Sequence, residues 1–505
     1  MYKPVIFAIV LLSSSAIVYA QSKPKDPPPS GLKSICVIQH ETMSPAEQVL
    51  AQTLQGITGR VKPKILLRAK SSYAIVEDQL RREGVKIDEA KSVWELVSKF
   101  RGEIKEMIVY KLGTPSLNVA ASLSGVMNAV AVDESLLSIA EAAGLKQLED
   151  VRGMDEKQAW EKWGPQFSKG IAIEEALDKP GFMRDYSAAH KAFTFYGVDS
   201  AFRTKIARAV GPNAIVYGWG PDEIGWVSDL SRANATGGPS DWAINMSVLE
   251  KLPAGPLHQP ACPAVKVEDG VRYVAFVLTD GDNLQWMLSN FIDNKSFWAN
   301  PLRGSFPITW EVSALLPKVA PRVLQYVYAT AKPTDDFVTG AAGPGYTYAH
   351  LQTDRPTLAR ETAALCKQAD LAIVGVLNTN EGNMEETFPM LDQPEVKAVL
   401  YKDYAPYHRQ HGKILWHNGK PCIAFRCALW EGLMEPQDVA DDIAKMPTSP
   451  KTDPQSFALV TVHAWSYGKS GGPIDAVKRT IDLLPKNTRV VNATTLIRLL
   501  SECKR

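Results

Sequence analysis

Two aspartates separated by one glycine directly follow an apolar segment near the middle of the chain. Asp280 and Asp282 lie in the pentapeptide 279–283, Thr-Asp-Gly-Asp-Asn, after the apolar run 273–278. If the glycine turns the chain, both carboxylates can face one pocket. Repulsion between them would then raise one pKa and supply an acid and a base. The pair could also bind a divalent cation, or one aspartate could cap a helix that begins at Leu284.

Three glutamates, Glu311, Glu381 and Glu431, also lie at or just after the ends of apolar segments. Glycosidases use two carboxyl groups on either side of the scissile bond, about 5 to 9.5 Å apart. Glu311 and Glu431 each follow a tryptophan, and an indole can pack against the apolar face of a sugar. Surface or capping roles are the alternative for each glutamate. The predicted catalytic residues are Asp280, Asp282, Glu311 and Glu431.

A histidine closes another apolar segment, in the sequence His463-Ala-Trp465-Ser466 after residues 457–462. Such a histidine can be a general acid or base or a metal ligand, and the alternative is a core histidine. His408 and His411 are interpreted as loop residues, and no metal site is predicted. The predicted substrate-binding residues are Asn283, Trp310, Tyr346, Tyr348, Glu381, His463 and Trp465.

The segment 343–350, Gly-Pro-Gly-Tyr-Thr-Tyr-Ala-His, combines a sharp turn with two tyrosines. Glycine and proline favour the turn, and we expect Tyr346 and Tyr348 to project from it as part of a rigid binding loop. A second loop, Trp219-Gly-Pro-Asp-Glu223, could reach the same site from an earlier part of the chain. The alternative for this loop is an ordinary Pro-Asp turn.

The chain has 505 residues, of which 45% are hydrophobic, and 56 basic against 55 acidic side chains. This length supports several domains, and the balanced charge argues against a nucleic-acid partner. Residues 1–20 are typical of a signal peptide, with Lys3 before a short apolar run. We therefore expect export to the periplasm or the exterior, with no membrane span. The six cysteines could form disulfides or remain buried thiols.

The predicted fold class is α/β throughout. Residues 21–32 form a Pro-rich tether, and residues 33–153 alternate strands and helices as an α/β domain with a mostly parallel sheet. No glycine-rich phosphate loop follows the first strand, so a dinucleotide cofactor is not expected. Residues 154–262 predict additional small α/β units and a linker, with helices over 171–177 and 204–210 and a strand over 214–217.

Residues 263–505 contain about eight apolar segments, nearly all followed by polar or aromatic residues and many separated by helical patterns. This periodic arrangement predicts a (β/α) barrel-like catalytic domain. In such barrels the active site is built where the strands end.

The chain resembles the GxGYxYP family over nearly all of its mature length. Gly343, Gly345, Tyr346 and Tyr348 match the motif for which the family is named, and Ala349 replaces its proline. The resemblance implies glycoside hydrolysis, with a barrel related to glycosidases and polysaccharide deacetylases. The stretch 280–283 and Trp310-Glu311 are matched as well.

Three hypotheses follow. The first is a secreted glycoside hydrolase that acts on an oligo- or polysaccharide without a cofactor. The second is a carbohydrate deacetylase in which Asp280, Asp282 and His463 hold a divalent metal ion. The third is a carbohydrate-binding protein without catalytic activity.

Overall fold

The structure, a computed structural model, describes residues 26–504. The predicted signal peptide and the start of the predicted tether lie outside this range. Three small parallel sheets with flanking helices form the N-terminal half. In each of the first two units, the strand that comes first in the sequence lies between the other two. The first unit contains β1 (Ser34–Gln39), α1 (Pro45–Thr58), β2 (Ile65–Arg68), α2 (Ser72–Arg82), β3 (Lys86–Glu89) and α3 (Val93–Lys99). The second contains β4 (Glu106–Tyr110), α4 (Ser116–Met127), β5 (Val130–Asp133), α5 (Leu137–Ala142), β6 (Lys146–Asp150) and α6 (Glu156–Trp163).

The third unit is a four-stranded parallel sheet, in which the strands, counted along the chain within the unit, lie in the order 4-3-1-2. Its elements are β7 (Ile171–Glu174), α7 (Arg184–His190), β8 (Phe193–Phe195), α8 (Ser200–Val210), β9 (Ile215–Gly218), α9 (Glu223–Arg232), β10 (Thr236–Pro239) and α10 (Met246–Leu249).

Local sequence signals account for much of this half. Ser44 and Glu47 form the capping box that starts α1, and the helix ends before Gly59. The helix predicted over 171–177 is wrong, because residues 171–174 form the buried strand β7. A short apolar run fits a buried strand as well as a helix, so periodicity alone does not separate the two.

The C-terminal unit is a ten-stranded, mostly parallel sheet. Only the strand Ile414–His417 runs antiparallel to its neighbour, as one arm of a hairpin with Lys420–Ala424. The first part contains β11 (Arg272–Leu278), α11 (Leu284–Ser289), β12 (Ile308–Val312), α12 (Leu316–Val319), α13 (Pro321–Ala329), β13 (Asp335–Thr339), α14 (Arg355–Ala369), β14 (Ile373–Asn378) and α15 (Phe388–Leu391). The second contains β15 (Ala398–Asp403), β16 (Ile414–His417), β17 (Lys420–Ala424), β18 (Cys427–Leu429), α16 (Pro436–Ala444), β19 (Phe457–Val462), α17 (Pro473–Leu483), β20 (Thr488–Val490) and α18 (Ala493–Cys503).

This sheet is curled in the manner of a half-barrel. From β15 the parallel strands run β14, β13, β12, β11 and β19. β17 pairs with β15, and β18 pairs with β19 at the other end of the row. Only two residues separate β17 from β18, and their amides donate to opposite strands, Phe425 N to Tyr401 O and Arg426 N to Leu459 O. The segment 423–429 therefore links the two ends of the row.

A buried arginine holds the described part of the predicted tether against the C-terminal unit. Arg322 is 1% exposed, and its guanidinium forms an ion pair with Glu83. The same side chain donates to the carbonyl oxygens of Pro28 and Pro253. Arg322 therefore fixes Pro28, in the predicted tether, and Pro253, in the predicted linker, against the C-terminal unit.

Two further findings concern the cysteines and the membrane. All six cysteine side chains are unpaired thiols, and four of them are buried. Between residues 26 and 504, no helix combines the length and the apolar character that a membrane crossing requires.

Candidate functional site

A cavity of about 750 Å³ opens at the C-terminal ends of the strands of the C-terminal unit. It is lined from the ends of β11, β13, β14, β15, β18 and β19, and from the third unit. The polar side chains that line it are Glu223, Thr279, Asp280, Asp282, Asn283, Lys402, Glu431, Thr461 and His463. Polar groups at strand ends meet at one edge of a parallel sheet, so the predicted clustering of such groups is found.

The glycine between the two aspartates permits close contact between β11 and β12. A Cβ atom on Gly281 would lie 1.7 Å from the carbonyl oxygen of Glu311, so only glycine fits there. Both Asp280 and Asp282 line the cavity, as the sequence predicts. Neither aspartate caps α11, because Asn283 occupies the N-cap position.

Asp280 is the more accessible of the two aspartates, and it is held by three donors. The hydroxyl of Thr279 donates to Oδ2 at 2.5 Å, and the indole N–H of Trp465 donates to Oδ1 at 3.2 Å. The amide of Ala464 approaches Oδ2 at 3.4 Å. The backbone of Asp280 is left-handed, with φ of 68°. Non-glycine residues adopt this conformation at a cost, and such residues are concentrated at functional sites.

Asp282, Glu311 and Lys402 form a buried cluster, which we call the floor. Asp282 and Lys402 line the cavity, whereas Glu311, a predicted catalytic residue, lies behind them and does not line it. Lys402 Nζ lies 2.7 Å from Glu311 Oε1, and these side chains are 5% and 1% exposed. The second carboxylate oxygen of Glu311 has no hydrogen-bond partner among the described residues. Gly375 and Gly340 leave room for the two acids, since a Cβ at either would lie about 3.3 Å from Glu311 Oε1 or Asp282 Oδ1, respectively.

Burial dominates the electrostatics of the floor. Loss of solvation raises the pKa of Asp282 well above its ordinary value, and the charges of Asp280 and Glu311 raise it further. The pKa of Glu311 is also raised by burial, although the charge and hydrogen bond of Lys402 oppose the shift. Both acids therefore retain a proton at a higher pH than a solvated carboxyl group.

Aromatic side chains form most of the remaining wall. His463 stacks on Trp430 with ring centroids 3.4 Å apart, and Tyr407 stacks on the same indole at 4.7 Å. Burial lowers the pKa of His463, which favours the neutral imidazole, and the charge of Asp280 partly offsets this. The aromatic residues that line the cavity are Trp219, Tyr346, Tyr404, Tyr407, Trp430 and Trp465.

The predicted position of Trp310 requires correction. Its indole is fully buried, packs against Phe291 and Trp298, and donates to Asp335 Oδ1 at 3.0 Å. Trp310 and Glu311 are consecutive residues inside β12, so their side chains point to opposite faces of the sheet. The side chain of Glu311 lies on the sheet face that carries the floor. The side chain of Trp310 lies on the other face and does not line the cavity.

The loop 343–350 also differs from the exposed binding loop that was expected. Tyr346 and Tyr348 are 4% and 0% exposed. Tyr346 pairs with Gly237 of the third unit through two backbone hydrogen bonds of 2.6 and 2.8 Å. A Cβ on Gly345 would lie 2.1 Å from the carbonyl oxygen of Gly237, which explains the glycine. The loop therefore joins two units, and we call this contact the seam.

The remaining predicted residues occupy different positions. Asn283 lines the cavity and donates to the carbonyl oxygen of Asp280 at 3.2 Å. Trp465 is 48% exposed at the rim. Glu431 is also exposed at the rim, where its Oε2 accepts from the amide of Tyr467 at 3.0 Å. Glu381 is exposed and does not line this cavity, and Tyr348 lies behind Tyr346.

Several cavity residues were not among the predicted site residues. Glu223 and Trp219 belong to the Trp-Gly-Pro-Asp-Glu loop, whose position at the barrel mouth was an open alternative. Lys402 lies at the end of β15, where Lys402-Asp403 is the polar end of an apolar strand. Tyr404 and Tyr407 lie in the loop after this strand. That strand-end signal could have identified Lys402, whereas the tyrosines lie in a loop without a recognisable motif.

Within residues 26–504, no three His, Cys, Asp or Glu side chains are arranged so that they could hold a metal ion. The cation found beside the buried acids is the ammonium group of Lys402.

The fold and the cavity define an α/β protein with acids and aromatic rings at the strand ends of a curled parallel sheet. Barrel enzymes build their active sites at this position. The residue ranges 34–102, 104–167 and 169–251 match the first, second and third domains of GxGYxYP proteins. Residues 270–501 match the domain described as "GxGYxYP putative glycoside hydrolase C-terminal domain". The chain therefore belongs to the GxGYxYP family.

A solved structure supports the same architecture. The chain is similar to a protein from Bacteroides thetaiotaomicron VPI-5482 whose crystal structure is described as that of a putative hydrolase. The two share 27% sequence identity with a TM-score of 0.85, over 95% of this chain and 98% of the other. No curated protein matches this chain.

Proposed function

We propose that this protein is a glycoside hydrolase that uses carboxylates at the C-terminal ends of its barrel strands. The observation that supports this most directly is Asp280, an accessible carboxylate held by three donors inside a cavity with six aromatic side chains. Carboxylates perform glycosidic cleavage, and aromatic rings pack against the apolar faces of sugars. The descriptions of the C-terminal domain and of the similar crystal structure agree with hydrolysis.

The size and polarity of the cavity fit a carbohydrate. A volume of about 750 Å³ is in the range of pockets that enclose small ligands. Asp280, Asn283 and Lys402 offer both acceptors and donors for sugar hydroxyl groups, beside the stacked rings of Trp430 and Tyr407. The substrate is therefore the end, or a short segment, of an oligo- or polysaccharide.

The acids of the cavity have different roles in this proposal. Asp280 is the carboxylate that attacks the anomeric carbon or activates water, because its oxygens are accessible and oriented. Asp282 and Glu311, both buried in the floor with raised pKa values, shape the electrostatic environment of that carboxylate. Glu431, exposed at the rim, binds a more distant part of the sugar chain. The reaction needs no cofactor, and the barrel is of the type that glycosidases and deacetylases share.

The test is an assay of the purified protein against a panel of aryl glycosides, oligosaccharides and acetylated sugars, with and without EDTA. Asp280→Asn should lower kcat on the cleaved glycoside by about 10³-fold or more, while sugar binding is retained. Glu361→Gln, an exposed glutamate on α14, is the matched control and should leave kcat unchanged. A wild-type kcat in Asp280→Asn would contradict the role of this residue.

The same assay separates the other two hypotheses. Release of acetate that EDTA abolishes would indicate a metal-dependent carbohydrate deacetylase. Sugar binding without any turnover would indicate a carbohydrate-binding protein. Glycosidic cleavage that EDTA does not affect supports the proposal.

We also propose that the enzyme is exported and acts in the periplasm or outside the cell. This proposal depends on residues 1–20, with Lys3 followed by the apolar run 5–12. Mass spectrometry of the protein from its native host should find the mature N-terminus at Gln21. An intact Met1 would contradict export through this segment.

A further inference from the structure

The third unit contributes one acidic side chain to the cavity of the C-terminal unit. β9 ends at Gly218, and the following loop leads into α9, whose first residue is Glu223. Asp222 caps this helix by accepting from the amide of Gly225 at 2.6 Å. Asp222 thus provides a hydrogen-bond acceptor for the backbone amides at the helix N-terminus. The Glu223 side chain is directed into the cavity, which it lines together with Asp280.

The position of Glu223 is determined by the seam. The hydroxyl of Tyr346 donates to Glu223 Oε1 at 2.7 Å. Tyr346 is itself held by the two backbone hydrogen bonds to Gly237. Ser231 of α9 adds two more contacts, since its hydroxyl pairs with that of Thr347 at 2.8 Å and accepts from the amide of Tyr348 at 3.0 Å. The loop therefore fixes the helix that presents Glu223 as well as the carboxyl group itself.

The surroundings of Glu223 also shift the pKa of its carboxyl group upward. Partial burial raises the pKa of its carboxyl group, and the charges of Asp280 and Asp222 raise it further. The hydrogen bond from Tyr346 acts in the opposite direction, because it stabilises the carboxylate. A raised pKa keeps the proton available at a higher pH than in a solvated glutamate.

We infer that Glu223 is the proton donor to the leaving group and that Tyr346 is the residue that positions it. This inference rests on the proposed glycoside hydrolysis. The bond between the anomeric carbon and the glycosidic oxygen breaks, its electron pair goes to that oxygen, and the oxygen takes the proton of Glu223. Water supplies the new oxygen on the anomeric carbon, directly or after attack by Asp280. After attack by Asp280, the proton that water loses returns to Glu223 and regenerates the enzyme. In the direct route that proton goes to Asp280, and exchange with solvent restores the proton of Glu223 and the carboxylate of Asp280.

The loop 343–350 therefore contributes to catalysis by positioning a residue of the third unit. Gly345 permits the close backbone contact, and Tyr346 holds the acid. The catalytic pair is therefore assembled from two units of the chain, with Asp280 just after the end of β11 and Glu223 at the start of α9.

The first test compares Glu223→Gln with the wild type on a series of glycosides with different leaving groups. For alkyl leaving groups, which need protonation, kcat/KM should fall by about 10²- to 10⁴-fold. For 2,4-dinitrophenyl glycosides, which leave without a proton, the fall should stay below about tenfold, because general-acid assistance is not required there. A residue with only a structural role would lower both values equally. Glu361→Gln is again the control.

The second test uses Tyr346→Phe, which removes only the hydroxyl. Loss of this hydrogen bond should raise the pKa of Glu223 further, so the alkaline limb of the pH profile of kcat/KM should move to higher pH. An unchanged limb would overturn the positioning role of Tyr346.

The possible failures are distinguishable. Suppose that the wild type cleaves glycosides and that Glu223→Gln lowers kcat/KM by the same factor for all substrates. The inference about Glu223 is then overturned, and the proposed function remains. If the wild type cleaves no glycoside in the panel, both are overturned.

Discussion

At the floor of the cavity, Asp282 and Glu311 are enclosed by strands of a single sheet, whereas at the seam Glu223 comes from a different unit of the chain. Both regions keep carboxyl groups partly or fully out of water, and in both the pKa is raised. The floor offsets its acids with a buried ammonium group, while the seam uses a neutral tyrosine hydroxyl.

This difference separates a structural role from a chemical one. A carboxyl group beside a buried lysine is held in place by the charge of that lysine. Removal of the lysine leaves the carboxyl group buried without a partner, which strongly destabilises the fold. A carboxyl group beside a tyrosine hydroxyl, on the cavity wall, can exchange its proton with a ligand. We therefore expect changes in the floor to affect mainly stability, and changes in the seam to affect both the docking of the units and the reaction.

The largest expected effect on stability is that of Lys402→Met in the floor. The change leaves Glu311 buried without its cation, so we expect a loss of about 3–5 kcal/mol in the free energy of unfolding, measured by urea denaturation. The control is Lys367→Met, which breaks the 3.9 Å pair with Glu395 at a lysine that is 75% exposed. That pair should contribute no more than about 1 kcal/mol. Equal losses in the two variants would contradict the buried floor.

The next effect concerns the seam, where we compare the Tm of Gly345→Ala with that of the control Gly343→Ala. A Cβ at Gly345 would lie 2.1 Å from the backbone oxygen of Gly237, whereas a Cβ at Gly343 would lie 3.0 Å from a terminal methyl group of Leu358. Forced separation of two packed segments costs about 1–3 kcal/mol, so Gly345→Ala should lower Tm clearly and Gly343→Ala only slightly. Activity should fall with Gly345→Ala because Tyr346 moves. Similar Tm values for both variants would disprove the tight contact.

The smallest effect is a change in the pH dependence of stability in Asp282→Asn. Since the folded-state pKa of Asp282 lies above the unfolded value, its stabilising effect is present at low pH and is lost as the pH rises through the folded-state pKa. Asparagine does not titrate. From about pH 4 to about pH 8, the free energy of unfolding of Asp282→Asn should therefore gain about 1 kcal/mol or more relative to the wild type.

The control for this measurement has the opposite sign. Hydrogen bonds from Lys86 and Lys99 lower the pKa of Asp88 on the surface of the first unit. Its contribution is lost as the pH falls, so Asp88→Asn should lose stability relative to the wild type as the pH rises. If the two variants changed in the same direction, the burial of Asp282 would not be the cause.

Local sequence patterns allowed much of the fold to be predicted. The capping box at Ser44 defined the start of α1, and the apolar run over 457–462 coincides with β19. These signals depend on residues a few positions apart, so they survive without knowledge of the tertiary structure. The strand β7 was missed because its apolar spacing also fits a helix.

The predictions for individual site residues were less complete, and the reason is geometric. Trp310 was expected beside Glu311 in the cavity because the two are adjacent in sequence. Their placement inside β12, rather than after it, sends them to opposite faces. Because the strand continues to Val312, one of the two side chains points away from the cavity.

The sequence by itself determined the family, the alternation of strands and helices, and the concentration of acids at strand ends, because each depends on short-range spacing or on a contiguous motif. The tertiary structure decided which acids are buried, which meet a cation, and which come from another unit. Lys402 pairs with Glu311 across 91 positions, and Tyr346 reaches Glu223 across 123. Such contacts depend on sheet register and on the docking of the third unit, and no local pattern encodes them.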